Sequence, residues 1–392
     1  MIKDRYLHAA ITADLKGKMV FLGGPRQVGK TTLARFLGEK NYKSYAYLNW
    51  DSRQDRKSIL EGKFSGDADL IIFDEIHKYK KWKNYIKGEF DTHKDTFHIL
   101  VTGSARLDLY RRGGDSLMGR YHYYRLHPFS VAEVLESQPD IQVFKELKFP
   151  QTNNLVSKTF LELLKFGGFP EPFLKKDQQT LRRFHNERID RLIKEDIRDI
   201  ESVRDLSALQ VLVEILPPKV GSLLSLNTLR GDLEVAYKTM KTWMDILERF
   251  YYHFRIYPYA STAIKSLRKE PKMYLWDWSQ VADPGARLEN MVASHLLKMT
   301  HFLHDAHGRK AELYFLRDIE GREVDFLVAI DRKPWLAIEV KSGKEDISKP
   351  LVYFTAKLKI PFTYQLMKEA GIDYWKKNIR VMSADKFLSG LV

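Results

Sequence analysis

One stretch constrains this 392-residue chain more than any other: Gly24-Pro25-Arg26-Gln27-Val28-Gly29-Lys30-Thr31. It follows the apolar run Met19-Val20-Phe21-Leu22, which reads as a buried strand, and it leads into Thr32-Leu33-Ala34-Arg35-Phe36-Leu37, which reads as a helix. Strand, glycine loop and helix are the context in which G-x-x-x-x-G-K-[ST] predicts a phosphate cradle. Glycines let successive backbone N–H groups close on a phosphate, and the helix N-terminus adds its positive dipole end. In that cradle Gly24 to Thr32 would surround ATP, Lys30 would reach the β- and γ-phosphates, and the Thr31 hydroxyl would ligate Mg²⁺.

The chain is long enough for two to three domains. It has no cysteine, so it has no disulfide, no thiolate nucleophile and no cysteine-type zinc site. No apolar run approaches the ~20 residues of a membrane helix, and the start, Met1 to Arg5, lacks a signal-peptide core. We therefore expect a cytoplasmic protein without a membrane partner. A formal net charge of +14 favours a polyanionic partner.

Downstream of the cradle, Leu70-Ile71-Ile72-Phe73 runs into Asp74-Glu75. A continuous apolar run suits a central parallel strand, and acids at its carboxyl end stand where α/β sheets place ligands. Asp74 would hold the Mg²⁺ shell, and Glu75 would act as general base towards water. A further strand, Phe97 to Val101, runs into Thr102-Gly103-Ser104, where Ser104 or Thr102 is placed to sense a γ-phosphate. Arg120 lies between a predicted helix and an alternating strand, with Arg106 as second choice.

Taken together, the glycine loop, Asp-Glu-Ile-His-Lys before Trp82, Val-Thr-Gly-Ser-Ala-Arg, and Ser-Leu-Met-Gly-Arg with His-Pro-Phe-Ser resemble a prokaryotic AAA+ ATPase family. Members of that family carry a C-terminal region long described as a domain of unknown function. The resemblance implies a homo-oligomer in which Arg120 points into a neighbour's nucleotide as an arginine finger. An arginine supplied in trans is worth ~10³–10⁵ in rate, or roughly 4–7 kcal/mol of barrier.

Beyond a polar, turn-rich stretch from Ser137 to Asn154, a helix ending at Gly167-Gly168-Phe169-Pro170 and a longer one from Thr180 to Ile200 form an expected helical lid. From Ser207, three short helical patterns precede the strand Phe254 to Pro258. They resemble a winged helix-turn-helix, whose third helix, Ala236 to Phe250, would present Lys238, Lys241 or Thr242 to a DNA major groove.

In the last third, Glu289 lies early in an amphipathic helix, and two strands, Val324 to Ile330 and Trp335 to Lys341, flank a turn at Asp331 to Pro334. Alternation puts Glu339 and Lys341 on one face, with Asp325 able to lie opposite. Aspartate followed by Glu-x-Lys resembles the PD-(D/E)xK restriction-endonuclease-like superfamily. That resemblance implies Glu289 as the helix acid, Asp325 and Glu339 as metal ligands, and Lys341 as the activating cation. Val324 stands where the superfamily often has proline. His295, His301, His304 and His307 lack matching acids or thiols, so exposed histidines are expected there rather than a zinc site.

The expected fold class is α/β. A P-loop NTPase core spans 1–136, a helical lid 137–205, a winged helix 206–262 and a nuclease-like domain 263–392. The expected function is an ATP- and Mg²⁺-dependent AAA+ ATPase that binds DNA and couples nucleotide state to the nuclease-like part. The competing readings are a DNA-binding switch without cleavage and a protein-remodelling ATPase.

Overall fold

The computed structural model describes residues 4–64, 67–103, 107, 117–137, 140–151, 153–197, 203, 205–260, 269–343 and 346–392. The chain divides into two compact units, Met1–His127 with Asp305–His307, and Pro128–His304 with Gly308–Val392.

In the first unit, α1 (His8–Leu15) precedes β1 (Met19–Gly23), α2 (Lys30–Asn41), β2 (Tyr45–Asn49), α3 (Arg53–Glu61), β3 (Leu70–Asp74), α4 (Trp82–His93), β4 (His98–Thr102) and β5 (Tyr121–Arg125). The strands form a parallel sheet in the order β2-β3-β4-β1-β5. Every residue of β1 and β3 is buried, as continuous apolar strands covered on both faces must be. Register aligns Asn49 with Asp74 and Asp74 with Thr102, so three polar strand ends meet at one edge. The sheet order also makes β1 and β4 neighbours, which brings the loop after β1 to that edge.

The second unit begins with α5 (Val131–Val134), α6 (Asn154–Phe166), α7 (Pro170–Lys175) and α8 (Gln178–Arg191). Helix α8 passes into a π-helical turn, Leu192–Ile197. Arg188, within α8, is half-buried beside Asp277 at 3.6 Å, stacks its guanidinium 4.1 Å from the Phe169 ring and donates to the Tyr251 carbonyl at 3.0 Å. Three helices follow, α9 (Leu206–Ile215), α10 (Leu226–Asp232) and α11 (Tyr237–Arg249). Helix α11 buries Met240, Trp243, Met244, Ile246 and Leu247, leaving Lys238, Lys241 and Thr242 exposed.

Strands β6 (His253–Pro258) and β7 (Lys272–Leu275) make an antiparallel ribbon. The expected boundary at 262/263 falls between those two paired strands. β6 also pairs in parallel with β8 (Ala311–Arg317), so the ribbon is the end of an eight-stranded sheet. Helix α12 (Pro284–His307) runs between ribbon and β8, capped by Asp283 at its start and by Gly308 at φ 64° at its end. Next come β9 (Glu323–Ile330), β10 (Lys333–Lys341), α13 (Lys349–Leu358), β11 (Phe362–Met367), β12 (Asp373–Lys376), β13 (Ile379–Ser383) and α14 (Ala384–Ser389). The sheet order is β12-β13-β11-β10-β9-β8-β6-β7.

The β9–β10 turn is tighter than its sequence suggests. Only Asp331 and Arg332 form it, both left-handed at φ 49° and 63°, and Pro334 sits inside β10 at a register shift. His295 is buried rather than exposed: its Nδ1 donates to the Met291 carbonyl at 2.8 Å, and its Nε2 accepts from the Val131 amide at 3.1 Å.

Candidate functional site

The first site is the loop between β1 and α2. Gly24 has φ 136°, and a Cβ there would lie 2.5 Å from the Leu126 carbonyl oxygen, so only glycine fits. Gly29 caps α2 in the left-handed region at φ 99°, and Gln27 shares that region at φ 61°. Pro25 and Val28 are buried, Arg26 is half-buried, and Thr32 is exposed on α2. The Lys30 ammonium donates to the carbonyls of Gly24, at 3.0 Å, and Pro25, at 2.7 Å. Those bonds fold its side chain back over the loop that a phosphate would enter.

Asp74 gathers three hydroxyls. Its Oδ2 accepts from Thr31 Oγ1 at 2.8 Å and from the Tyr47 phenol at 2.6 Å, and its Oδ1 accepts from Thr102 Oγ1 at 2.5 Å. The Arg35 guanidinium lies 3.9 Å from the Tyr47 ring centroid. Thr31 and Asp74 thus lie together with oxygen donors of the hard kind that Mg²⁺ prefers. Glu75 follows at φ 56°, with its Oε2 3.5 Å from both Lys78 Nζ and His77 Nε2. Burial raises its carboxyl above the usual glutamate range, and the nearby cations Lys78 and Lys30 offset only part of that effect.

Thr102, at the end of β4, takes the place beside Asp74, while Ser104 and Arg106 lie outside the described residues. Arg120 makes a two-pronged pair with Asp91, at 2.7 and 3.0 Å. Two supporting residues escape sequence reasoning. Tyr47 looks like a strand residue, and Arg5 precedes every motif. Yet the buried Arg5 guanidinium donates to the Val28 carbonyl inside the loop, at 2.9 Å, and to the His127 carbonyl, at 2.7 Å.

The second site lies wholly within the second unit, where β9, β10, α12 and β7 meet. The structure brings Glu289, Asp325, Glu339 and Lys341 together. The Asp325 amide donates to Glu339 Oε2 at 3.4 Å, Asp325 Oδ2 accepts from the Val340 amide at 2.9 Å, and Lys341 Nζ lies 3.2 Å from Glu339 Oε1. Tyr274 donates to Glu289 Oε1 at 2.6 Å, and Ser348 donates to Glu339 Oε1 at 3.3 Å. Burial, then the Asp325 charge, pushes the carboxyls of both Glu289 and Glu339 upward.

A residue absent from the expected set stands among these acids. Lys272 Nζ, on β7, lies 2.6 Å from Glu323 Oε1 and 3.5 Å from both Glu289 Oε1 and Asp325 Oδ1. Burial acts to lower its ammonium, but Glu289, Asp325 and Glu323 outweigh that and hold it charged. Sequence offered no signal for it: Glu-Pro-Lys-Met-Tyr is an ordinary strand entry.

Residues 16–135 match the family model described as an AAA domain. Residues 157–282 and 284–387 match two models described as domains of unknown function, DUF8612 and DUF4143. The chain is 23% identical over 347 residues to the uncharacterized protein MJ1544 of Methanocaldococcus jannaschii, spanning 83% of this chain and 75% of that one. It is 24% identical over 345 residues to the uncharacterized protein Rv2008c of Mycobacterium tuberculosis, spanning 83% and 70%. Among solved structures, the Thermotoga maritima RuvB Holliday junction branch migration motor aligns over 64% of this chain and 88% of that one, at 17% identity and a TM-score of 0.30. With its parallel sheet, glycine loop and Asp74 cluster, the first unit resembles the P-loop core of the AAA domain whose model it matches.

Proposed function

We propose that the chain is an ATP hydrolase of the AAA+ class that acts on DNA. The observation that carries the reading is the convergence of Lys30, Thr31, Asp74 and Thr102 at one edge of a parallel sheet. In this reading the loop from Gly24 to Thr32 binds the phosphates, and Lys30 exchanges its two carbonyl partners for phosphate oxygens. Thr31 and Asp74 hold Mg²⁺, which neutralises charge on the phosphates. Glu75 takes the proton of the attacking water, and Thr102 or Ser104 reports the γ-phosphate. Arg120 leaves Asp91 to serve a neighbouring copy, so the working form is a homo-oligomer. Exchange of an exposed ion pair is cheap, because solvent already screens its charges.

The net charge of +14 and the exposed Lys238, Lys241 and Thr242 of α11 support DNA as the partner, read in the manner of a winged helix. Glu289, Asp325, Glu339 and Lys341 support a nuclease-like C-terminal centre. Lys272 favours the second reading for that centre, a nucleotide-driven DNA-binding switch without cleavage.

ATP hydrolysis and plasmid integrity, measured with and without DNA and Mg²⁺, test the proposal. Lys30→Ala is expected to lower hydrolysis at least 100-fold, and DNA is expected to raise the wild-type rate. Unchanged hydrolysis in Lys30→Ala would overturn the ATPase reading. Stimulation by a protein with indifference to DNA would overturn the DNA reading.

A further inference from the structure

A catalytic Mg²⁺ in a nuclease-like centre needs near-octahedral oxygen ligands at about 2.0–2.1 Å. Most of the oxygens here have protein partners. Asp325 Oδ1 faces Lys272, and Oδ2 accepts from the Val340 amide at 2.9 Å. Glu339 Oε1 faces Lys341 and Ser348, and Oε2 accepts from the Asp325 amide at 3.4 Å. Glu289 Oε1 is held by Tyr274 and Lys272. The residues present do not fit a divalent ion.

We infer that Lys272 is a built-in cation standing in place of a divalent metal among Glu289, Glu323 and Asp325, and that the centre binds no such metal while Lys272 is seated. Charge supports this. Among the described residues, four carboxylates (Glu289, Glu323, Asp325, Glu339) face three cations, Lys272, Lys341 and Arg317, the last of which pairs with Glu323 at 2.6 Å. Removing Lys272 takes one positive charge out of the acid cluster and so favours another cation in its place. Geometry holds the lysine in place as well. Its side chain is only 4% exposed, and β7 is fixed on one flank by β6 and on the other by a bridge from Leu223 to Lys272 itself. An ammonium at this position neutralises the acids, yet it cannot lower the pKa of a bound water as a metal does. The inference rests on the nuclease-like reading of this centre and is independent of the P-loop.

The test is a Mn²⁺ titration of the full-length, nucleotide-free protein, read by the electron paramagnetic resonance of free Mn²⁺. Wild type and Asp325→Asn are expected to superimpose. Lys272→Met is expected to gain one Mn²⁺ per chain with at least tenfold tighter binding than wild type, and Lys272→Met/Asp325→Asn is expected to lose it. A wild-type site abolished by Asp325→Asn would overturn the inference, as would a folded Lys272→Met that binds no more Mn²⁺ than wild type. Should Lys272→Met fail to fold, the wild-type and Asp325→Asn comparison still decides. ATP hydrolysis, measured separately, shows whether the P-loop reading has failed instead.

Discussion

Arg5 shows how a residue outside every motif can govern the P-loop. Its guanidinium spans the Val28 and His127 carbonyls from a buried position, and hydrogen bonds from charged donors contribute about 1.5–3 kcal/mol each. Arg5→Met is therefore expected to cost roughly 2–4 kcal/mol of unfolding free energy and to weaken nucleotide binding, measured by denaturant titration with and without ATP. Unchanged ATP affinity in the folded variant would mean that the arginine braces the fold and not the loop. The shape of the loop was legible, because Gly24 and Gly29 stand at fixed spacing where the backbone turns to positive φ between a strand and a helix. Asp74 and Glu75 were legible for the same reason, as acids ending an apolar strand. Arg5, Tyr47 and Lys272 were not, since each reaches its partner through strand register or a long side chain across tens of residues.

Among the elements, α12 is the one that carries most. It holds Glu289 near its start, His295 midway and Lys298 beyond, whose ammonium donates to Glu133 at 2.6 Å and Ser130 at 2.9 Å. His295 is neutral in this arrangement, a donor at Nδ1 and an acceptor at Nε2, and burial lowers its pKa from 6.5 to about 3. The unfolded chain therefore takes up the proton first. Stability from His295 is fully present above pH 6.5 and falls by about 1.4 kcal/mol per pH unit below it, until about pH 3. Glu289 and Glu339, with raised pKa values, act in the opposite sense: their stabilising share is lost as pH rises. Subtracting a His295→Gln variant isolates the histidine. The wild-type advantage is expected to shrink by about 2 kcal/mol between pH 7 and pH 5 in chemical denaturation. An advantage independent of pH would show that His295 titrates normally. The start of α12 was readable from its amphipathic pattern. Its burial of a histidine was not, because the Val131 partner lies far away in sequence.

At the scale of the molecule, the sequence suggests four segments, whereas the structure divides into two compact units. A switch from alternating strands to short helices marks a change of local structure, but it does not reveal that β6 will join a strand sixty residues later. Joining them makes the DNA-reading candidate, α9 to α11, and the acid centre parts of one body. A fragment covering 263–392 would keep β7 but lose β6 from one flank and Leu223 from the other, and would bare the side of β8 that β6 covers. Rows of unpaired N–H and C=O groups recruit other strands. That fragment is expected to self-associate on size-exclusion chromatography, whereas 206–392, which restores both partners, is expected to elute at the position of its own monomer. A monomeric, folded 263–392 would refute this. For evolution the shared ribbon works as a ratchet: once the strand that follows one set of helices has joined its neighbour's sheet, neither part can be traded for another module without unravelling both.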